Sequence, residues 1–225
     1  MSAALGTRLA FAGLSSRRPW VAALLGVLAV LVASLLERSG EPAYAADRAL
    51  LGPTLKVIVP LVCYALFEAV YRAEPARAVL DPIARHGADR RLLSLGTNGA
   101  LALCSAGVAA VLAALAALAA RGFADPDVFA DAVASFWGGA LVGAAYGGLF
   151  AVASLFGRRG RIAALVLDWL FGSGTGTFAL VFPRGHARNL FGGEPVLQGS
   201  QAFAALVLAA LAASLVLLAA ARETR

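Results

Sequence analysis

Six apolar runs recur along this 225-residue chain, at residues 20–36, 49–71, 92–120, 128–156, 162–182 and 202–221. Each is long enough to cross the roughly 30 Å hydrocarbon core of a bilayer as a helix, which takes about 17–25 residues. Backbone polar groups in lipid must be satisfied within the segment itself, so runs of this length form helices. The chain is 60% hydrophobic and 14% charged, too little charged surface for a soluble domain of this size. These observations predict an all-α fold: one polytopic transmembrane domain over residues 1–225 with six spans.

Orientation follows from the arginines. If the N-terminus is cytoplasmic, thirteen arginines fall in inner segments (8, 17, 18, 72, 77, 85, 90, 91, 158, 159, 161, 222, 225) and five in outer ones (38, 48, 121, 184, 188). That asymmetry predicts both termini in the cytoplasm, in a multi-pass protein of the cytoplasmic (inner) membrane. It also accounts for the net charge of +6 without nucleic acid as a partner. The lone lysine, Lys56, is followed by Val57, so the chain has no Walker A sequence and no phosphate-binding loop of its own. Cys63 and Cys104 lie inside apolar runs and only two histidines are present, so neither a metal site nor a cofactor is expected.

Residues 1–19 mix leucines with Arg8, Arg17 and Arg18 and predict an interfacial helix. Ser16-Arg17-Arg18-Pro19-Trp20 and Ala43-Tyr44-Ala45 resemble a twin-arginine signal and its cleavage site, but five further apolar runs follow, and 20–36 is taken as a retained span. An outer loop is expected at 37–48. The second run carries Pro53, Lys56 and Pro60, with Lys56 placed to snorkel outward. Gly139, Gly143 and Gly147 in the fourth run leave one helix face bare, a close-packing face whose partner the spacing does not identify. The fifth run holds Asp168 ahead of Gly172-Ser173-Gly174-Thr175-Gly176-Thr177. The glycines predict a loosened or broken helix. Asp168, Gly172 and Thr175 share a helical face, and Asp168, Ser173 and Thr175 are candidates for a translocation path or an intramembrane polar site. A structural acid with hydrogen-bonding neighbours is the alternative for Asp168.

The longest polar interval, 72–91, lies between the second and third runs. Asp81-Pro82 predicts a helix start and Gly87 a stop, framing a short helix over 82–86; Asp89 then caps the next run. A rigid helix in a basic loop suits docking to a cytoplasmic partner, and an ordinary positive-inside loop has the same charge.

This layout resembles the type-2 permeases of ATP-binding-cassette exporters. Gly87-Ala88-Asp89-Arg90-Arg91 followed by Gly96 is similar to the pattern that closes the family's loop between the second and third spans. Pro183 to Gly193, within the outer loop 183–200, is similar to its helical excursion between the fifth and sixth spans. The resemblance implies a permease subunit that dimerises, with itself or a related chain, and is not itself an enzyme. A separate ATPase subunit would drive alternating access by docking on the coupling loop 72–91, through Asp81, Pro82, Ile83, Arg85, His86, Gly87, Arg90 and Arg91, and on the N-terminal helix. Asp168 matches no marker of that family.

Two other classes compete. A non-transporting assembly or anchoring subunit would have a similar sequence. An intramembrane hydrolase is suggested by Gly172-Ser173-Gly174, which superficially resembles rhomboid serine proteases, but no apolar run contains the histidine such a nucleophile needs.

Overall fold

The computed structural model describes residues 1–38 and 41–223, leaving aside the side chains of residues 42 and 43. Arg225, counted above with the inner arginines, lies outside the described residues, as do residues 39 and 40 of the expected outer loop. The fold is all-helical, with no strand among the described residues. Helices α1 (Ser2–Leu14), α2 (Arg17–Leu36), α3 (Pro42–Ala49), α4 (Val59–Tyr71) and α5 (Ala76–Ala84) are followed by α6 (Arg90–Arg121), α7 (Val128–Ala153), α8 (Gly157–Phe171), α9 (Pro183–Leu190) and α10 (Gln201–Arg222).

Five helical stretches are long and apolar enough to cross a membrane: Arg17–Leu36, Tyr44–Ala84, Arg90–Arg121, Val128–Phe171 and Gln201–Arg222. The expected fifth span does not form one continuous helix over 162–182. Its helix, α8, has 15 residues and stops at Phe171, where the glycine-rich segment begins. At 1.5 Å per residue that is about 22 Å, short of a full bilayer core. Residues 172–182 return as turns and a short 3₁₀ segment, Thr177–Val181, into α9.

The core is the antiparallel pair α6–α7, the most extensive helix contact in the molecule. The glycine face of α7 packs against α6: Gly139 meets Ala109, Ala110 and Ala113, Gly143 meets Ser105 and Ala109, and Gly147 meets Ala102. Both faces consist of small residues, so the two backbones approach closely and dispersion contacts accumulate without side chains in between. The neighbouring Gly148 faces α10 at Leu211 and Ala212. α2 lies on α4 and α6, with Gly26 against Val62 and Ile58. Much of its surface is exposed, including Leu24, Leu25 and Leu28, as suits a helix facing lipid.

α1 crosses the start of α6 at a second glycine contact. Gly6 abuts the Leu93 carbonyl and Gly96 abuts the Ala3 carbonyl, leaving no room for a methyl group at either position. The Thr97 hydroxyl, shared between the Gly6 carbonyl at 3.1 Å and the Leu93 carbonyl at 2.9 Å, closes the crossing. At the other end of α6, Arg38 donates to the Ala119 carbonyl at 2.7 Å, satisfying one of the last-turn carbonyls. Gly122, at φ 78°, ends that helix. The loop expected at 37–48 contains a helix, α3, which runs into a wide π-helical segment, Leu50–Ile58, with Pro53 inside it.

Candidate functional site

The polar interval 72–91 contains a longer helix than Asp81-Pro82 predicts. α5 starts at Ala76 behind an extended Pro75 and ends at Ala84. Its apolar stripe sets these bounds: Ala76, Val79, Leu80 and Ile83 recur at i, i+3, i+4 and i+7, with Ala76 and Leu80 fully buried. Pro82 therefore falls in the last turn, where its missing N–H leaves only the Ala78 carbonyl without an intrahelical donor. Asp81 caps nothing. Its carboxylate pairs with Arg90 at 2.6 Å and more distantly with Arg77 at 3.9 Å.

The expected stop at Gly87 is present, at φ 91°. Asp89 caps α6 as expected, accepting from the Leu92 N–H at 3.0 Å. Pro82, Arg85, His86, Gly87 and Arg91 are exposed, while Asp81, Ile83 and Arg90 are half-buried. Both chain ends meet this loop: Ser2 Oγ accepts from the Asp89 N–H at 3.0 Å, and Arg90 Nη1 lies 3.5 Å from the Glu223 carbonyl oxygen. The Glu223 carboxyl is buried without a hydrogen-bond partner among the described residues, and burial pushes its pKa up. Nothing in the spacing of residues 2, 89, 90 and 223 foretells this meeting.

The acid of the fifth apolar run has a partner that lies outside the apolar runs. Asp168 is fully buried. Its carboxylate accepts from the Tyr146 hydroxyl at 2.8 Å, the Arg184 N–H at 3.2 Å and Arg184 Nε at 3.1 Å. Arg184 comes from α9, the segment assigned to the outer loop. Gly172 permits the approach, because a Cβ there would lie 2.9 Å from Arg184 Cβ and 3.1 Å from Asp168 Oδ1. Arg184 Nη2 reaches on to the Lys56 carbonyl at 2.7 Å. Pro60, four residues on, has no N–H to offer that carbonyl in an α-helical register. Arg184 thus bridges α8 and the π segment.

Ser173 and Thr175 do not join Asp168. Both are exposed, because α8 ends before them and the helical face expected to join Asp168, Gly172 and Thr175 does not reach Thr175. The Ser173 hydroxyl donates to the Trp169 carbonyl at 2.7 Å. Arg188 holds the glycine-rich turn by donating to the Ser173 and Gly174 carbonyls at 2.9 and 3.0 Å. His186 is buried with Nε2 3.1 Å from the Leu180 carbonyl, and burial holds its imidazole below the ordinary histidine value. Ser173 and His186 are thus each bonded to backbone rather than to one another.

A second buried charge sits one end of α8 away. Arg161 was counted as a loop arginine, but α8 begins at Gly157 and buries it completely. Its guanidinium pairs with Glu68 at 2.8 Å, donates to the Arg72 carbonyl and lies 6.0 Å from the centre of the Tyr71 ring. α8 is therefore anchored by a cation and an anion seven residues apart, about 10 Å along its axis. Its apolar side chains Ile162, Val166, Trp169 and Leu170 stay exposed.

Beside the Asp168 cluster opens a groove of about 460 Å³ between the π segment, α8 and α9, with Lys56, Arg184 and Arg188 in its lining. Cys63 and Cys104 are free thiols, and no group of three or more potential metal ligands occurs among the described residues. The chain matches no protein-family model, no curated protein and no solved structure.

Proposed function

We propose that the chain is the membrane-spanning subunit of an ATP-binding-cassette exporter of the type-2 kind. It sits in the cytoplasmic (inner) membrane with six spans and both termini inside, α8 and its return segment forming the fifth. A separate ATPase subunit supplies the energy, two permease subunits form the pathway, and the substrate crosses by alternating access. The observation carrying this reading is α5. It is a nine-residue amphipathic helix with Leu80 buried, tied to the long helix α6 by the Asp81–Arg90 pair, while Pro82 and, just after the helix, Arg85 and His86 stay exposed. A push on that exposed surface is transmitted to α6, and through the glycine face to α7, as a rigid-body movement.

The test is ATP hydrolysis by a co-expressed ATP-binding subunit reconstituted with this chain in lipid nanodiscs. The expectation is hydrolysis that depends on the chain and is uncoupled by Arg85→Glu combined with Arg91→Glu, with the complex's membrane insertion unchanged. Hydrolysis indifferent to the chain's presence would leave the anchoring-subunit reading in its place.

A further inference from the structure

The groove beside Asp168 has the chemistry of a ligand site that the packing of α8 does not use up. Of the three cations lining it, two are engaged by the protein. Arg184 serves Asp168 and the Lys56 carbonyl, and Arg188 serves the Ser173 and Gly174 carbonyls with the exposed Glu194 carboxylate 4.0 Å away. Lys56 is different. Its side chain is exposed at the groove, and among the described residues its ammonium has no ion pair or hydrogen bond. Asp168 beneath is saturated by Tyr146 and Arg184, so it offers Lys56 no counter-charge.

The lining also includes the apolar and aromatic side chains Leu55, Trp169 and Leu170. The backbone here is also specialised. Lys56 stands in a π-helical segment, a local widening frequently found at functional sites, and its carbonyl accepts from Arg184 at the rim. An unpaired cation beside apolar side chains calls for an anion that carries its own apolar body.

We propose that this groove binds an anionic amphiphile, its headgroup against Lys56 and its chain along Leu55, Trp169 and Leu170. A lysine ammonium reads charge rather than planar bidentate geometry, so a phosphate and a carboxylate head are both accepted. The role of the ligand rests on the exporter reading above, under which this class is the cargo; the binding does not.

Equilibrium binding to the purified chain in phosphatidylcholine nanodiscs, with no ATPase subunit present, separates the two. The probes are dodecyl phosphate, dodecanoate, neutral dodecanol and inorganic phosphate. Both dodecyl anions are expected to bind saturably, with dodecanol and inorganic phosphate failing to compete. Lys56→Gln should weaken binding by at least about tenfold, as for the loss of one charge-assisted contact. Arg8→Gln, an exposed arginine on α1, is the charge-matched control and should leave it unchanged. Binding that Lys56→Gln leaves intact, equal competition by inorganic phosphate, or no saturable binding of either anion overturns the proposal. None of these results alters the ATP-hydrolysis test.

Discussion

Arg184 Nε lies 3.1 Å from Asp168 Oδ2, and the two side chains are 7% and 0% exposed, so a full ion pair is enclosed between α8 and α9. Taking two charges out of water is costly, and the pair holds only because Tyr146 and the Lys56 carbonyl complete its hydrogen bonds. Removing one partner strands the other. Asp168→Asn and Arg184→Gln are each expected to destabilise by about 3–5 kcal/mol. The double variant should lose much less than the sum, read as a double-mutant cycle from thermal unfolding in detergent. Additive losses would mean that the two side chains do not support one another.

The α6–α7 contact makes an opposed pair of predictions. Gly143→Ala places a methyl against the Ser105 carbonyl with no slack on either backbone, and about 1–3 kcal/mol of destabilisation is expected. Gly99→Ala, on α6 but with nothing within 4 Å of the new methyl, should be neutral or stabilising by about 0.5–1 kcal/mol. Thermal midpoints that move in the same direction for both would contradict the packing described.

Leu80 anchors the short helix. Leu80→Ala empties a fully buried site and should cost about 2–5 kcal/mol of local stability. Hydrogen exchange is the informative readout, since amides 76–86 should lose protection while those of α6 and α7 keep theirs. Uniform loss across all three helices would show that α5 is not a separable lever.

His186 sets a pH dependence. Burial lowers its pKa in the folded state below the ordinary value of 6.5, so the unfolded chain takes up the proton first. Above that value both states are neutral and the residue contributes nothing. As pH falls through it, the folded state resists protonation and stability declines. Melting temperature should drop on acidification from pH 7 to 5, and His186→Asn should flatten that drop.

The sequence carried the helices more clearly than their partners. Five of the long apolar helices, Asp89 as a cap, Gly87 as a stop and the glycine break after Asp168 are local events, and each is where spacing and residue type place it. The bounds of α5 were legible too, in the i, i+3, i+4, i+7 stripe from Ala76 to Ile83; the Asp-Pro pair is a strong start signal and masks it. Other features depend on contacts between distant positions. Arg184 lies 16 residues beyond Asp168 and Glu68 lies 93 before Arg161, and neither element has a pattern that names the other. Counting arginines by loop assigns Arg161 and Arg184 to water, whereas both are buried. The small-residue face of α6 has no distinguishing pattern, because alanine is abundant throughout the chain.

The Gly6–Gly96 crossing has a consequence for the order of biosynthesis. Its two halves are ninety positions apart, so at a translation rate of about 5–20 residues per second α1 emerges about 5–20 s before its seat exists. During that interval the helix must reside elsewhere, with its apolar side on the lipid surface or on a chaperone. The first segment made is thus not the first to be fastened: its seat waits for the start of α6, while α7 to α10 are still to come.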